Sequence, residues 1–172
     1  CLQRPPAPPT WPMARAARAA CRLAMALYGG SVTSRLFLNV RERDHLCYYC
    51  ASSFQSFTGS MTVSSGIEPG DAARAEEAIL NELADLCTGP ITDQELEDCR
   101  RGLIDGLEGV EDSLSSLESW YGMEIIRGGA ITTPAQARAD LAAVTVDQVR
   151  AVLRRFSLSV SYLLTKKEGP YV

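Results

Sequence analysis

Residues 34–50 hold the feature that most restricts the fold of this chain, because a helical pattern passes there directly into a strand pattern. The segment reads SRLFLNVRERDHLCYYC. Its first part, residues 34–43, carries apolar side chains at helical spacing and ends in a cluster of charges. The tyrosine-rich part that follows is typical of a strand. Arg41 and Tyr48 are therefore predicted to lie on either side of a helix-to-strand junction, at the mouth of a sheet.

The strand that begins at this junction is expected to pair with the next strand along the chain. Residues 47–57 and 60–67 are rich in aromatic, β-branched and small side chains, and Thr58-Gly59 between them suits a turn. They are predicted to form an antiparallel hairpin, and a third strand is predicted at residues 158–165. Because three strands make a thin sheet, we expect one edge to be completed by another chain, a second copy included, or by residues outside this sequence.

Helical patterns occupy most of the remaining chain. Asp71 is predicted to cap one helix, and Gly29-Gly30 is predicted to end the first. Thr92 and Thr145 each begin a capping box, in which a threonine and a Glu or Gln bond each other's backbone N–H groups. The predicted helices span residues 13–28, 34–43, 71–87, 92–110, 113–127, 134–143 and 145–155.

Helices segregated against a small, mostly antiparallel sheet predict an α+β fold of two layers, with the helices packed on one face of the sheet. A length of 172 residues suits one domain. Residues 1–12 contain five prolines and are predicted to form an extended leader, so the domain itself is predicted to cover residues 13–172.

The charges are unevenly distributed along the chain, although the net charge is only −4. Residues 68–124 carry three arginines and sixteen acidic residues, which would repel a phosphate backbone. No apolar run approaches the roughly 20 residues that cross a bilayer. We therefore expect neither nucleic acid nor a membrane as a partner.

The six cysteines are spaced poorly for disulfides or for a metal site. Cys47 and Cys50 have C-x-x-C spacing, but on a strand two residues three apart point to opposite faces. Cys21, Cys87 and Cys99 fall on helical faces, where a thiol acts as a small apolar group. Reduced cysteines and a cytoplasmic location are the expected state.

The sequence contains no recognisable reactive centre of its own. His45 is the only histidine, whereas an H-E-x-x-H zinc site needs two. No G-x-S-x-G elbow exposes a serine nucleophile, and no glycine-rich loop suited to phosphate is present. We expect no catalytic residue, no metal ligand and no cofactor in this chain. We also consider the hypothesis of a hydrolase that uses His45, although a surface or hinge role suits this residue better.

Four short motifs resemble the C-terminal half of the insulinase/pitrilysin family of zinc metallopeptidases. This family includes the mitochondrial processing peptidase and its non-catalytic relatives. The likeness extends over about residues 20–165, and LCYY is most similar to a bacterial branch regarded as inactive partners of an active homologue. The motifs are GG at 29–30, SRLF at 34–37, NVRE at 39–42 and LCYY at 46–49.

The resemblance implies the metallohydrolase fold of the processing peptidases and LuxS, in which two homologous halves close like a clam. It implies that zinc is bound by H-x-x-E-H in a partner or N-terminal half, and that Arg41 and Tyr48 contact the substrate. This chain would then be the substrate-positioning half, inactive alone, with a homologous peptidase half or subunit and an unstructured peptide as partners. The alternative implied by the family is a non-catalytic pseudo-peptidase or scaffold subunit.

Overall fold

Helices make up most of the computed structural model of the protein, which describes residues 14–128 and 130–165. Two wider π-helical segments span Ala26–Gly30 and Leu36–Arg43, and a 3-10 turn spans Pro69–Asp71. The strands are β1, Tyr49–Gln55, and β2, Ser60–Gly66. The predicted leader, residues 1–12, lies outside the described residues. The α-helices are α1, Arg15–Met25; α2, Ala72–Thr88; α3, Asp93–Glu111; α4, Leu114–Arg127; α5, Pro134–Ala142; and α6, Val146–Leu153.

Both predicted capping boxes are confirmed. The Thr92 hydroxyl accepts the backbone N–H of Glu95 at 3.2 Å, and the Thr145 hydroxyl accepts the backbone N–H of Gln148 at 3.3 Å. The predicted cap at Asp71 is wrong in its contacts, because its carboxylate pairs with Arg74 at 2.8 Å and caps no backbone N–H. The preceding 3-10 turn changes the backbone angles at Asp71, so the carboxylate does not reach the first turn of α2 in a capping geometry.

Helix α1 forms the centre of the core. It contacts α3, α5, α6 and β1, and its side chains from Ala19 to Met25 are buried except for Arg22. Alanines and Cys21 dominate this part of the helix, and such small side chains allow neighbouring elements to approach closely. The larger Leu23 of this helix, and Leu27 of the π-helical segment that follows it, are fully buried.

The hairpin of β1 and β2 is antiparallel and pairs Tyr49 with Gly66 at one end and Gln55 with Ser60 at the other. The exposure of side chains alternates along both strands, because one face of the hairpin packs on the helical layer. The π-helical segments supply much of this layer, since both contact β1. A two-layer α+β arrangement is thus confirmed.

Gly29 explains how the helical layer approaches β1 so closely. A Cβ atom at this position would lie 2.7 Å from the backbone nitrogen of Ser52 and 2.7 Å from Cδ1 of Leu36. The first helical run ends at Gly30, two residues beyond the predicted end at residue 28, because a π-helical turn, Ala26–Gly30, follows α1. The glycine is needed for a close backbone contact at this point.

The prediction of a third strand at residues 158–165 is wrong, because this segment has no regular secondary structure and pairs with no strand of the described chain. Its alternating apolar side chains are largely exposed, with Val160 at 79% and Tyr162 at 83%. A strand requires a hydrogen-bonding neighbour, and the two-stranded sheet offers none here. The segment instead contacts α2 through a 2.9 Å hydrogen bond from the Ser161 hydroxyl to Glu76.

Two arginines of α6 and its C-cap bond carbonyl groups at the end of α2. Arg154 donates to the carbonyl of Cys87 at 2.9 Å, and Arg150 donates to the carbonyl of Gly89 at 2.7 Å. Such contacts replace the backbone partners that a helix end lacks, and they also complement its negative dipole end. Within the described residues, each helix is too short or too polar to span a bilayer.

Candidate functional site

The helix-to-strand junction predicted from residues 34–50 is present and has a defined backbone. The π-helical segment Leu36–Arg43 ends in a turn that is closed by a 3.1 Å hydrogen bond from the Leu46 N–H to the Val40 carbonyl. His45 adopts a left-handed backbone within this turn, with φ of 53°. The Tyr48 N–H then bonds the carbonyl of Gly66 at 2.8 Å, which aligns the chain with β2. Arg41 and Tyr48 consequently lie on either side of this turn, as predicted.

Arg41 lies in the last part of the π-helical segment, with its side chain 39% exposed. Its guanidinium carbon is 4.6 Å from the centroid of the Phe37 ring, and its Nε is 3.5 Å from a carboxylate oxygen of Glu42. The ring restrains the guanidinium by a cation–π contact while its remaining N–H donors stay available. The arrangement therefore suits an external acceptor, such as a carbonyl or a carboxylate.

Tyr48 stands directly before β1 and is 70% exposed. Its hydroxyl donates a short hydrogen bond to Glu68, a residue that follows β2. This hydrogen bond, and then the negative charge of Glu68, raises the pKa of Tyr48 above its ordinary value of 10. Within the described chain Tyr48 and Arg41 share no hydrogen bond, because each has a separate partner. A common role in substrate binding stays a prediction.

The other charges at the junction form a surface network. Arg43 pairs with Asp44 at 2.7 Å and reaches Glu82 of α2 at 3.6 Å. The hydrogen bond from Arg43 is the main cause of a lowered pKa at Asp44. His45 is exposed, and no hydrogen bond to its ring is present among the described residues. Its position is that of a turn residue and offers no support for a hydrolase based on His45.

The sequence analysis did not predict two contacts in this region, that of Arg41 with Phe37 and that of Tyr48 with Glu68. Phe37 precedes Arg41 by four residues, so the helical spacing alone could have indicated their contact. Glu68 is different, because its contact with Tyr48 depends on the register of the hairpin. Hairpin register is set by the turn and by pairing across the sheet, and the sequence alone does not define the exact residue positions of either.

A zinc ion has no suitable site in the described residues. No three His, Cys, Asp or Glu side chains are grouped there as metal ligands. Cys47 and Cys50 carry free thiols. Burial, more than the neighbouring Cys47, raises the pKa of Cys50 to about 12, so its thiol stays protonated and is a poor metal ligand or nucleophile. The side chains of the described part of the chain therefore do not fit zinc.

Comparison with known proteins gives a consistent result. Residues 9–103 match the family model described as the peptidase M16 inactive domain. The chain is 26% identical over 148 residues to the probable inactive metalloprotease YmfF of Bacillus subtilis, covering 83% of this chain. It is 30% identical over 129 residues to the uncharacterized zinc protease YmxG of the same organism, covering 74% of this chain.

A solved structure shows the same fold. The crystal structure of a conserved protein from Enterococcus faecalis superimposes with a TM-score of 0.76 at 28% identity and covers 81% of this chain. The chain spans only a third of that protein, 33%, and similarly 33% of YmfF and 32% of YmxG. The likeness therefore concerns one domain of longer proteins.

Proposed function

Since this chain belongs to the peptidase M16 inactive-domain family, we propose that it is the substrate-positioning half of an insulinase-like metallopeptidase. Zinc and the catalytic base would be carried by a homologous half or subunit. Arg41 and Tyr48 would contact an unstructured peptide held between the two halves. The cytoplasmic location expected from the cysteines is part of the same proposal.

The observation that carries this proposal is the pair of restrained, exposed polar side chains at the junction. Arg41 presents a guanidinium that Phe37 restrains. Tyr48 presents a phenol whose single O–H donates to Glu68 and would turn from that carboxylate to a bound substrate. Both groups are held by neighbouring side chains while remaining exposed. Restrained donors lose little conformational freedom when a ligand binds, and this favours positioning of a substrate.

Such donors have a defined use in peptide hydrolysis. A peptide carbonyl gains negative charge as the tetrahedral intermediate forms, and a positioned N–H or O–H stabilises that charge. One donor of this kind can contribute about 3 kcal/mol to the transition state. A guanidinium can also hold the peptide backbone in one orientation through paired hydrogen bonds.

We expect Arg41→Gln and Tyr48→Phe each to lower kcat/KM of the assembled peptidase by about 10- to 100-fold, because each removes one donor. The measurement is cleavage of an unstructured peptide by the full-length or paired enzyme. Both side chains are exposed enough that the melting temperature should change little. Full activity in both variants would contradict the positioning role.

Two matched controls accompany these variants. Tyr49→Phe removes the neighbouring phenol, and Arg74→Gln removes an arginine that is 70% exposed and pairs with Asp71. Neither side chain belongs to the proposed pair, so both controls should retain activity. Equal losses in the control and test variants would show a nonspecific effect of altered charge or hydroxyl content.

The second candidate function is a non-catalytic scaffold subunit, which the name of the matched family and that of YmfF favour. In that case the domain would bind a peptidase half or a peptide without contributing to hydrolysis. An H-x-x-E-H motif in the rest of the protein, or in a partner that co-purifies with it, supports the first candidate. Peptidase activity of the assembly that is unaffected by Arg41→Gln and Tyr48→Phe supports the scaffold.

A further inference from the structure

A cavity of about 720 Å³ lies between α1 and α4 and is separate from the junction. Phe54 of β1 and Asp140 of α5 also contribute to its walls, whereas Arg41 and Tyr48 do not. The volume is within the range of about 300–1,000 Å³ that is usual for sites that bind small organic ligands. We refer to this space as the α1–α4 cavity.

The wall of the α1–α4 cavity already holds one carboxylate in a fixed geometry. The buried Glu124 accepts hydrogen bonds from Arg18 at 3.0 and 3.1 Å and from Arg127 at 3.0 Å. The backbone N–H of Thr132 donates a further hydrogen bond to Glu124 at 3.1 Å. Arg18 also donates to the Thr132 hydroxyl at 2.6 Å, so these guanidinium groups are positioned before any ligand arrives.

Arg22 lines the same cavity but has a different environment. Its guanidinium carbon lies over the Trp120 ring, 5.7 Å from the centroid, and Trp120 is itself fixed by a 2.8 Å hydrogen bond to the Thr132 carbonyl. No hydrogen bond to the Arg22 guanidinium is present among the described residues. A guanidinium carries five N–H donors, so Arg22 can bind an acceptor within the cavity.

Among the described residues that line the cavity, arginines outnumber carboxylates. Arg15 pairs with Asp140 at 2.8 Å, and Arg18, Arg22 and Arg127 lie in the same wall as Glu124. The Arg22 side chain keeps contact with solvent. Desolvation by the surrounding protein, and then the positive charge of Arg127, nevertheless lowers its pKa, and Glu124 only partly opposes this. A guanidinium nevertheless remains charged at all relevant pH values, so an anion would relieve the repulsion.

We propose that the α1–α4 cavity binds the free C-terminal carboxylate of a peptide that ends in a bulky apolar residue. Arg22 would hold the carboxylate through paired hydrogen bonds, and Trp120 and Met123 would contact the apolar side chain. Ser115, Ser116 and Ser119 line the same cavity with hydroxyl groups. Hydroxyls can bond the amide groups of a peptide, which a fatty acid of similar size lacks. This site is independent of the role proposed for Arg41 and Tyr48.

The test is calorimetric titration of the full chain with N-acetyl-Ala-Phe as the free acid and as the C-terminal amide. The acid should bind, and the amide should bind at least about tenfold more weakly, because it lacks the charge that Arg22 recognises. Arg22→Gln should weaken binding of the acid by a similar factor. Arg74→Gln, which changes an arginine outside the cavity, should leave it unchanged.

A second variant guards against a folding defect in Arg22→Gln. Arg22→Lys keeps the charge but loses the paired donors, so it should bind the acid with intermediate affinity. Hexanoate and inorganic phosphate serve as competitors that lack peptide groups or an apolar body. Equal affinity for acid and amide, unchanged binding in Arg22→Gln, or equally tight binding of either competitor would overturn the proposal.

Discussion

At His45 a single backbone angle limits which side chains the junction accepts. The residue has φ of 53°, a left-handed conformation that costs most L-residues about 1–2 kcal/mol. Asn tolerates this region because its short polar side chain can bond locally, whereas a β-branched side chain is strongly disfavoured there. The turn that separates Arg41 from Tyr48 therefore depends on the residue at this position.

We expect His45→Val to lower the free energy of unfolding by about 1–2 kcal/mol, because valine is strained at positive φ. His45→Asn should change it by less than about 0.5 kcal/mol, since Asn tolerates the same backbone angle. Urea denaturation of both variants measures the difference. Equal stability of the two variants would show that the left-handed turn is absent in solution.

Glu124 illustrates how burial and hydrogen bonding compete at a single carboxylate. Burial alone would raise its pKa, but the Thr132 N–H and the guanidinium groups of Arg18 and Arg127 outweigh burial and lower the pKa below the ordinary value of 4.5. A carboxylate whose pKa is lower in the folded state binds protons preferentially in the unfolded chain. Its contribution to stability is present above pH 4.5 and is lost as the pH falls below it.

Glu124→Gln should lower the free energy of unfolding at pH 7 by about 3 kcal/mol, because Arg18 and Arg127 lose their shared buried anion. As the pH falls below 4.5, the variant should also lose less stability than the parent protein, since it lacks this titrating group. Glu118→Gln, which alters an exposed carboxylate on the same helix, is the control. Parallel acid-unfolding curves for parent and Glu124→Gln would contradict this assignment.

At the scale of elements, close packing of the first π-helical segment on β1 depends on Gly29. Its missing side chain lets the backbone reach Ser52, while a Cβ atom would meet atoms at 2.7 Å. Gly102 on α3 has the opposite environment, because a Cβ atom there would meet nothing within 4 Å. Two glycines of one chain therefore have opposite expected responses to the same substitution.

We expect Gly29→Ala to destabilise the protein by about 1–3 kcal/mol, because β1 and Leu36 must both move away from the added methyl group. Gly102→Ala should stabilise it by about 0.5–1 kcal/mol, since alanine favours the helix and restricts the unfolded chain. Thermal unfolding of both variants provides the comparison. A stabilising effect at both positions would mean that the π-helical segment does not approach β1.

Elements with local signals were predictable, and those with distant partners were not. Thr92 and Thr145 begin helices through contacts three residues away, so the sequence indicated both starts. Strand formation at residues 158–165 depends on a neighbour elsewhere in the fold, and alternation alone cannot supply one. The cavity could not be predicted for the same reason, because its ion pair between Arg18 and Glu124 joins residues 106 positions apart.

At the scale of the whole molecule, the reactivity of the thiols measures how completely the core excludes solvent. Cys21 and Cys50 are buried and unpaired, and burial is the main cause that raises the pKa of each thiol to about 12. A protonated thiol without solvent access reacts slowly with alkylating reagents. Cys47 is only half-buried and provides an internal comparison.

We expect iodoacetamide at pH 8 to modify Cys47 in the native protein while Cys21 and Cys50 remain unmodified. Unfolding in urea should expose all three and bring their modification rates together, because burial alone separates them. Peptide mass spectrometry after a series of reaction times measures each rate. Rapid modification of Cys21 in the absence of urea would show that the core opens around α1.

The position of α1 also has a consequence for synthesis of the protein. Helices α5 and α6, which cover α1, are the last helices of the described chain. A nascent chain leaving the ribosome would therefore present the α5- and α6-facing side of α1 to water until residues beyond 134 had emerged. During that interval molecular chaperones have access to a surface that the finished protein hides, and translation speed between the two regions sets how long it stays open.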